Sequence, residues 1–446
     1  MTESEYQILL FDFQFLQKNT EYNFTLSTGY HHFYGAVRVC CVQHRRTERL
    51  VPLLVNILHS AAKLPVKVLT NSSILSNDNK PYLMLLDLLL YSDFLEGCHK
   101  NNDNKTHDIY LQTLAMLIEA SLYPGNSIQS LGVMLDKCEL SLSHLSQGGL
   151  DMMNTIWQSL ASSASSLSRM NDESSSFSAV TSFHTALSLL KFPVQFLSSR
   201  GGEEKTLAIW EKLYKVVMEQ GEISVHHNTG YIVGEVGDRL EDILNRHQTE
   251  AQLLMNAKIV KIMVDNVDWA SLTRSLKTGG GGGQHHPLAG FERMMSPLGN
   301  VTSLISHLKH LTEELSGAHG QDAELAKLLL SSYQKLYSIN HTELIRPLLK
   351  ALSPGFSKFL KEEFIVSLAK QDSTILKAIE KAFATVCILI KVKYNKEYTL
   401  DLLEEIEDFL VACLGSPRTS VSKPANEMWK VTFFTFLDIY VTLFFI

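Results

Sequence analysis

Residues 205–218 read Lys-Thr-Leu-Ala-Ile-Trp-Glu-Lys-Leu-Tyr-Lys-Val-Val-Met, and this stretch decides the fold class. Its large apolar side chains recur every three or four residues, at Leu207, Trp210, Leu213, Tyr214 and Val217. The opposite side carries Glu211, Lys212 and Lys215. A period near 3.6 with polar residues opposite is typical of an amphipathic α-helix that buries one face. The stretch therefore predicts a helix with Trp210 in the core.

The same period extends along most of the chain. Apolar stripes occur within residues 50–64, 108–122, 342–352 and 373–390, and Asp108 stands where it would cap the second of these. The alternation of apolar and polar residues that is typical of a β-strand is clearest in residues 34–42, which is a short stretch. About 15 helices of roughly 10–20 residues are expected, and two helices with a turn make a HEAT unit of about 40 residues.

The fold predicted from this pattern is all-α, a HEAT/ARM-type α-solenoid of roughly 15 helices. Each helix pair leaves one apolar face uncovered, and stacking the next pair covers it. A single all-α globule is the alternative. The chain of 446 residues favours the solenoid, because one core seldom grows beyond about 300 residues.

Polar and glycine-rich breaks divide the chain into predicted parts. These are an N-terminal segment 1–49, a first helical-repeat block 50–275, a Gly-rich loop 276–296, a second block 297–430 and an apolar, truncated terminal helix 431–446. Further loops between helices are predicted at 99–107, 162–178 and 415–424. The glycine run lacks the Lys-Ser/Thr that follows in a phosphate-binding loop. Residues 431–446 are too few for a membrane span, which needs about 20 apolar residues.

Composition narrows the class of protein. Hydrophobic residues make up 45% and charged residues 20% of the chain, which is typical of a folded protein. The net charge of −7 excludes a protein that is basic overall, although a local basic patch stays possible. Six cysteines without a Cys-x-x-Cys pair, after an acidic N-terminus, predict a reducing compartment and no signal peptide.

Catalytic and metal-binding patterns are not found in the sequence. Three pairs of adjacent histidines occur, at 31–32, 226–227 and 285–286, but neighbours in sequence point apart and do not chelate one ion. An acidic cluster at residues 401–408 is interpreted as the solvated face of a helix rather than as paired catalytic carboxylates. The prediction is a protein that is not an enzyme, with no cofactor, no metal and no small-molecule substrate.

Two short segments supply the candidate binding residues. Arg45, Arg46 and Arg49 could clamp a phosphate on DNA or on a phosphopeptide, or they could simply lie on a solvated helix start. Lys430, Val431 and Phe433 match the basic-Val-x-Phe motif that docks on protein phosphatase 1 as an extended strand. The alternative is a helix that begins with Pro424 at its first position and continues through this segment.

Four parts of the chain, in one order, carry a resemblance to a known protein family. The first runs His184-Thr-Ala-Leu-Ser-Leu-Leu-Lys-Phe-Pro-Val-Gln-Phe-Leu and continues with Arg200-Gly and Trp210-Glu-Lys-Leu-Tyr. The second is Ser296-Pro-Leu-Gly-Asn-Val-Thr-Ser-Leu, and the third is Ser420-Val-Ser-Lys-Pro-Ala-Asn-Glu-Met-Trp followed by Thr432-Phe. Residues 50–58 and 82–90 fit helices upstream. Together these segments resemble the amino-terminal helical region of the telomere-associated Rap-interacting factor family, and the similarity covers residues 50–433.

This resemblance implies a HEAT-type scaffold in the nucleus, on chromosomes and at telomeres. It implies a role in replication timing control, double-strand-break repair and telomere maintenance, with no catalytic residue. The implied partners are a phosphorylated repair adaptor, protein phosphatase 1, and chromatin or DNA, with no membrane. The family's phosphatase-docking motifs lie mostly outside the helical region, so that docking region is not expected here. A helical-repeat transport or trafficking adaptor is the alternative.

Overall fold

The structure is a computed structural model. It describes residues 47–63, 69, 81–90, 92–100, 104–121, 135, 147–167, 186–194, 197, 204–223, 229–244, 248–269, 297–317, 322–394 and 398–434. These residues form 16 α-helices with defined bounds and two π-helical turns, and residues 186–194 are helical as well. The described part of the chain contains no strand. The all-α prediction is therefore confirmed. The strand-like residues 34–42, the predicted N-terminal segment up to residue 46 and residues 435–446 lie outside the described ranges.

The chain divides into two compact units, residues 1–193 and 194–446. The described helices of the first unit are α1 (Thr47–Ala62), α2 (Pro81–Leu89), α3 (Ser92–Lys100), α4 (Asn104–Ser121) and α5 (Gln147–Leu167). In this unit α1 packs against α3 and α4, and α5 packs against α3 and α4 in turn. Trp157 of α5 is fully buried, and its indole Nε1 donates to the Leu189 carbonyl oxygen at 2.9 Å.

The second unit holds the remaining described helices. They are α6 (Glu204–Ile223), α7 (Thr229–Leu244), α8 (Glu250–Asp265), α9 (Val301–Ser316), α10 (Ala323–Tyr337), α11 (Thr342–Lys358), α12 (Glu362–Gln371), α13 (Thr374–Ile388), α14 (Leu400–Glu405), α15 (Glu407–Leu414) and α16 (Thr419–Trp429). The π turns Leu389–Lys393 and Lys430–Phe434 extend α13 and α16. Trp210 of α6 is fully buried, as predicted, and stacks on Tyr214 with ring centroids 5.1 Å apart.

Two layers of helices build this unit. Helices α7, α9, α11 and α15 pack one against the next as the first layer, and α8, α10, α13 and α16 do the same as the second layer. Each first-layer helix is followed by a second-layer partner, with the short α12 and α14 inserted in the connections. A one-dimensional stack of helix pairs is the arrangement of an α-solenoid. The predicted HEAT/ARM-type architecture thus describes the second unit.

The repeat is visible in burial and not in residue identity. Four buried positions in α13, its π turn and the residue after that turn recur 39 residues later in α16 and its π turn. The pairs are Ala382 and Val421, Val386 and Ala425, Leu389 and Met428, and Tyr394 and Phe433. The exposed pair Lys391-Val392 recurs as Lys430-Val431 at the same distance. Packing constrains only which positions are apolar, so the sequence repeat is hard to see.

A glycine-lined contact joins α7 to α9, and we call it the glycine seam. A Cβ on Gly237 would stand 2.5 Å from Ser303 Oγ, so any larger residue here would force Ser303 to shift. Asn300 Nδ2 donates to the Gly230 carbonyl oxygen at 2.7 Å, and His307 Nε2 lies 2.7 Å from the Gly237 carbonyl oxygen. A carbonyl oxygen only accepts, so His307 carries a proton on Nε2.

An aromatic cluster joins the two layers farther along, and we call it the aromatic seam. Tyr333 and Tyr337 of α10 contact Phe356 of α11, each with ring centroids 5.6 Å apart. Phe356 in turn lies 6.2 Å from Phe409 of α15, which lies 6.0 Å from Phe383 of α13. All five rings are buried. This seam ties α10, α11, α13 and α15 together through apolar burial.

Several predicted boundaries are wrong in detail. α4 begins at Asn104, so Asp108 lies inside the helix and does not cap it, and α3 continues through Lys100, so the loop predicted at 99–107 is much shorter. α5 runs to Leu167 into the serine-rich stretch. These polar residues stay helical because neighbouring turns of the same helices are anchored by buried apolar side chains.

The end of the chain shows the same effect. α16 begins at Thr419, so Pro424 is inside the helix and not at its first position, and residues 419–424 are not the predicted loop. Proline removes one helical hydrogen bond. Buried Val421, Ala425 and Met428 nevertheless hold one face of this helix against the stack.

The predicted Gly-rich loop 276–296 lies outside the described ranges, which resume with a turn at residues 297–300 before α9. In that turn Gly299 has a φ of 50°, a conformation that favours glycine. The boundaries predicted at 275 and 297 stay predictions, whereas the division into units falls after residue 193.

Candidate interaction surface

The predicted phosphate clamp is largely outside the described structure. Arg45 and Arg46 lie outside the described residues, and Arg49 is placed in the first turn of α1 by its backbone only. Binding by Arg45, Arg46 and Arg49 therefore stays a prediction.

The predicted phosphatase-docking residues are described in full. Lys430, Val431 and Phe433 lie in the π turn that continues α16, and not in an extended strand. Phe433 is fully buried, with ring centroids 5.2 Å from Tyr398 and 5.6 Å from Trp429, whereas Val431 is 63% exposed. Strand docking would require the turn to unwind and Phe433 to leave the core. The geometry therefore favours the helical alternative for this segment.

The acidic cluster at residues 401–408 is mostly exposed. Glu405 is the exception: Arg346 donates to it through Nε at 2.8 Å and through a terminal nitrogen at 3.2 Å, and Lys350 Nζ lies 3.1 Å away. These hydrogen bonds lower the pKa of the Glu405 carboxyl, the bond from Arg346 being the largest cause. Glu404, Glu407 and Asp408 are exposed, as expected of a solvated face.

Charge is divided between the two layers of the second unit. The first-layer helices with α14 carry twelve acidic and five basic side chains, a net charge of −7. The second-layer helices with their π turns carry five acidic and ten basic side chains, a net charge of +5. The second layer is thus basic although the chain as a whole is acidic. A surface of one sign attracts ligands of the opposite sign and steers their approach.

Some lysines of the basic layer form ion pairs within the protein. Lys258 of α8 bridges Glu204 of α6 at 2.6 Å and Glu324 of α10 at 3.6 Å. Lys327 of α10 binds the Asp372 carboxylate, which also accepts from the Thr374 backbone N–H at 2.8 Å. These ion pairs connect successive helices and are satisfied without a ligand.

Lys393 is a structural lysine that sequence reasoning missed. Its ammonium donates to the carbonyl oxygens of Ser338 and Ile339, both at 3.0 Å, and to Asn340 Oδ1 at 2.7 Å. These acceptors lie just beyond the end of α10, where unpaired carbonyl groups favour a cation. No sequence signal pairs Lys393 with residues more than 50 positions away.

Other lysines of the second layer have no such role. Lys377, Lys381, Lys391 and Lys423 are exposed, and among the described residues no carboxylate forms an ion pair with them. The first three lie on α13 and its π turn, with Lys377 and Lys381 about one helical turn apart and Lys391 ten residues farther along. Lys377, Lys381 and Lys391 form the candidate basic surface. Sequence reasoning missed it because the lysines become one surface only when the layers are known.

Exposed large apolar side chains occur close to these lysines in the chain. Those of the second unit are Val366, Ile388, Val392, Leu400, Val411, Val431 and Phe434, with Val392 the most exposed at 73%. By contrast, Trp269 and Trp429 are half-buried, so neither offers an open aromatic platform.

The described residues offer little for chemistry. They contain no group of three or more His, Cys, Asp or Glu side chains that could hold a metal ion. The histidine pairs at 31–32, 226–227 and 285–286 lie outside the described ranges. Cys387 and Cys413 are buried, and burial raises the pKa of both thiols to about 12, so neither is a nucleophile near neutral pH. No described helix is long and apolar enough to cross a membrane.

Comparisons with known proteins add one distant likeness. No protein-family model matches the chain, and no curated protein matches it. Among solved structures it is similar to a "circular tandem repeat protein with novel repeat topology and enhanced subunit contact surfaces". That likeness has 11% sequence identity and a TM-score of 0.33, over 96% of this chain and 94% of the other. A likeness this low does not bear on function.

Proposed function

We propose that this chain is a non-enzymatic nuclear scaffold of the Rap-interacting factor type, which binds partners on the surface of its helical stack. Replication timing control, double-strand-break repair and telomere maintenance are the processes in which such a scaffold would act, at chromosomes and telomeres. The proposal extends the resemblance of residues 50–433. The observation that carries it is the basic second layer, whose exposed lysines include four without a carboxylate partner among the described residues.

The lysines suit an anionic macromolecule. Lys377, Lys381 and Lys391 succeed one another along about 21 Å of helix, at a rise of about 1.5 Å per residue. A row of point charges of this length matches repeated phosphates or carboxylates better than a single small anion. Phosphorylated segments of a repair adaptor, and DNA, are the proposed ligands.

The test measures binding of the purified full chain to two probes. One is a synthetic peptide with several phosphoserines, compared with its unphosphorylated form, and the other is a short duplex DNA. We expect binding of the phosphorylated peptide or the duplex that weakens as salt rises. The triple variant Lys377→Glu/Lys381→Glu/Lys391→Glu should lose it.

A matched control reverses charge elsewhere. Lys212→Glu/Lys309→Glu changes two exposed lysines outside the second layer and should leave binding unchanged. Arg45→Glu/Arg46→Glu/Arg49→Glu tests the predicted clamp separately, and loss of binding there alone would move the site to the amino terminus. Absence of binding to both probes at physiological salt would overturn the proposal. A tagged chain found at organelle rims rather than in the nucleus would favour the trafficking adaptor instead.

A further inference from the structure

Four exposed apolar side chains lie where α13 and α16 run into their π turns, and we call them the carboxy-terminal edge. They are Ile388 and Val392 of α13 and its π turn, and Val431 and Phe434 of the π turn after α16, exposed by 51%, 73%, 63% and 55%. Exposed large apolar residues are ordinary when single, but a group at one place points to an interface.

Tyr398 places the two π turns side by side. Its ring lies 5.2 Å from that of Phe433, and its Oη donates to the Ile390 carbonyl oxygen at 2.8 Å. The two π turns are therefore neighbours, and the four exposed side chains lie on these turns or on the last residue of α13. Lys391 is next to Val392, and Lys381 lies about two turns before Ile388 on the same side of α13, so the edge is flanked by positive charge.

The first layer presents the opposite chemistry, and we call it the acidic ridge. Glu404, Glu407 and Asp408 are exposed, and no ion pair engages them among the described residues. They precede Val411, which is 65% exposed, at three- and four-residue spacing across the junction of α14 and α15. The ridge is thus an apolar side chain flanked by carboxylates, whereas the edge is a set of apolar side chains flanked by ammonium groups.

We propose that the acidic ridge of one copy of this chain docks on the carboxy-terminal edge of a second copy. Val411 would pack among Val392, Val431 and Phe434, and the carboxylates of the ridge would face Lys381 and Lys391. Burial of the apolar side chains supplies the attraction, and the charges set the register and exclude like-charged faces. A second copy is the occupant because both complementary surfaces are present on this one chain.

The contact is heterologous, because two different surfaces meet. Each copy keeps one free edge and one free ridge, so association continues from copy to copy unless the geometry closes a ring. The mass should therefore grow with concentration, without stopping at a dimer of fixed size. Exposed charges are screened by salt, so the growth should be weaker at high ionic strength.

The experiment measures the weight-average mass of the full chain by light scattering after size exclusion, from about 1 to 100 µM. We expect the mass to rise about twofold or more over this range at low salt. Glu404→Lys/Glu407→Lys makes the ridge basic, and Lys381→Glu/Lys391→Glu makes the edge acidic. Each variant alone then meets a surface of like charge and should stay monomeric.

Mixing the two variants makes the design decisive. The basic ridge of the first variant faces the acidic edge of the second, and the unchanged surfaces also match, so an equimolar mixture should associate again. Simple unfolding of either variant would not give this recovery, and circular dichroism of each variant checks the helix content. The pair Lys212→Glu/Glu219→Lys, both exposed on α6, serves as the control and should associate like the original chain.

Three results would overturn the proposal. One is a monomer at every concentration, another is association that survives both charge reversals, and the third is a mixture that stays monomeric. Peptide and DNA binding is measured at concentrations where the chain is monomeric, so its outcome is separate from this one.

Discussion

The glycine seam and the aromatic seam connect neighbouring helices of one stack by opposite means. In the glycine seam, α7 and α9 approach so closely that backbone carbonyl groups of Gly230 and Gly237 accept from side chains of α9. In the aromatic seam, large rings fill the space between α10, α11, α13 and α15. A helical repeat therefore fixes where the helices lie, whereas the side chains that fill each contact between helices can differ.

The two seams differ in what a substitution can do. Rings in the aromatic seam contribute through buried area, so truncation leaves a cavity. Glycines in the glycine seam contribute by the absence of a side chain, so an added atom causes overlap. The predictions below separate these two mechanisms within the second unit.

Phe356→Ala is expected to have the largest effect. Phe356 is fully buried and touches rings of α10 and α15, so the change should lower the free energy of unfolding of the second unit by about 3–5 kcal/mol. Chemical denaturation measures this loss of free energy, and hydrogen exchange of the amides of α10 and α11 shows whether it falls on these helices. Val366→Ala is the control, since Val366 is 38% exposed, and it should cost far less. Equal losses would mean that the aromatic seam does not hold the stack.

Gly237→Ala tests the other seam at a smaller scale. The new Cβ would overlap Ser303 Oγ, and overpacking of this kind costs about 1–3 kcal/mol, against at most about 1 kcal/mol gained from alanine's helix propensity. The net change in thermal or chemical stability should be destabilising. Ser303→Ala removes the overlapping oxygen, so the double variant should recover most of the loss.

Measuring Gly237→Ala in the presence and absence of the Ser303 hydroxyl, with Ser303→Ala alone as the reference, shows whether overlap with this hydroxyl causes the loss of stability. If Gly237→Ala costs the same with and without the Ser303 hydroxyl, close approach between α7 and α9 is not the reason for the glycine. In that case the backbone hydrogen bonds of Asn300 and His307 would account for the seam.

Much of the fold could be predicted from the sequence, because helical periodicity is local. The buried stripe around Trp210 and the all-α class depend only on three- and four-residue spacing, and both are confirmed. Helix ends were predicted less well. Pro424 and the polar residues near Asn104 are ordinary break signals, but packing of adjacent turns overrides them.

The candidate surface depends on relations that the sequence does not contain. Lys377 and Lys258 look alike in sequence, yet Lys258 bridges two carboxylates and Lys377 is exposed. Phe433 looks like a docking residue until Tyr398 and Trp429 are found against it. Arg45 and Arg46 stay untested, and the function itself stays a prediction from resemblance.

Lys393→Met should have a modest effect at the border of the aromatic seam. Methionine keeps the aliphatic stem but removes the ammonium that donates to the end of α10, so we expect a loss of about 0.5–1 kcal/mol. Lys391→Met, an exposed neighbour, is the control and should be close to neutral. A loss as large as that of Phe356→Ala would show that polar links, and not ring burial, hold this end of the stack.

Acid titration of Asp372 is expected to give the smallest effect. Its pKa is lowered from 3.8 to about 2, first by the hydrogen bond from Lys327 and then by those from Thr374. A carboxyl whose pKa is lower in the folded state stabilises that state above its unfolded pKa, and the contribution is lost as pH falls towards about 2. The urea concentration at the midpoint of unfolding should therefore differ between the original chain and Asp372→Asn at about pH 5. The two midpoints should converge by about pH 2. Because Asp372 lies at the surface, with 31% of its side chain exposed, the difference should be small and should shrink in high salt. A difference that persists unchanged below pH 2 would assign the loss to packing of the asparagine and not to the charge of the carboxylate.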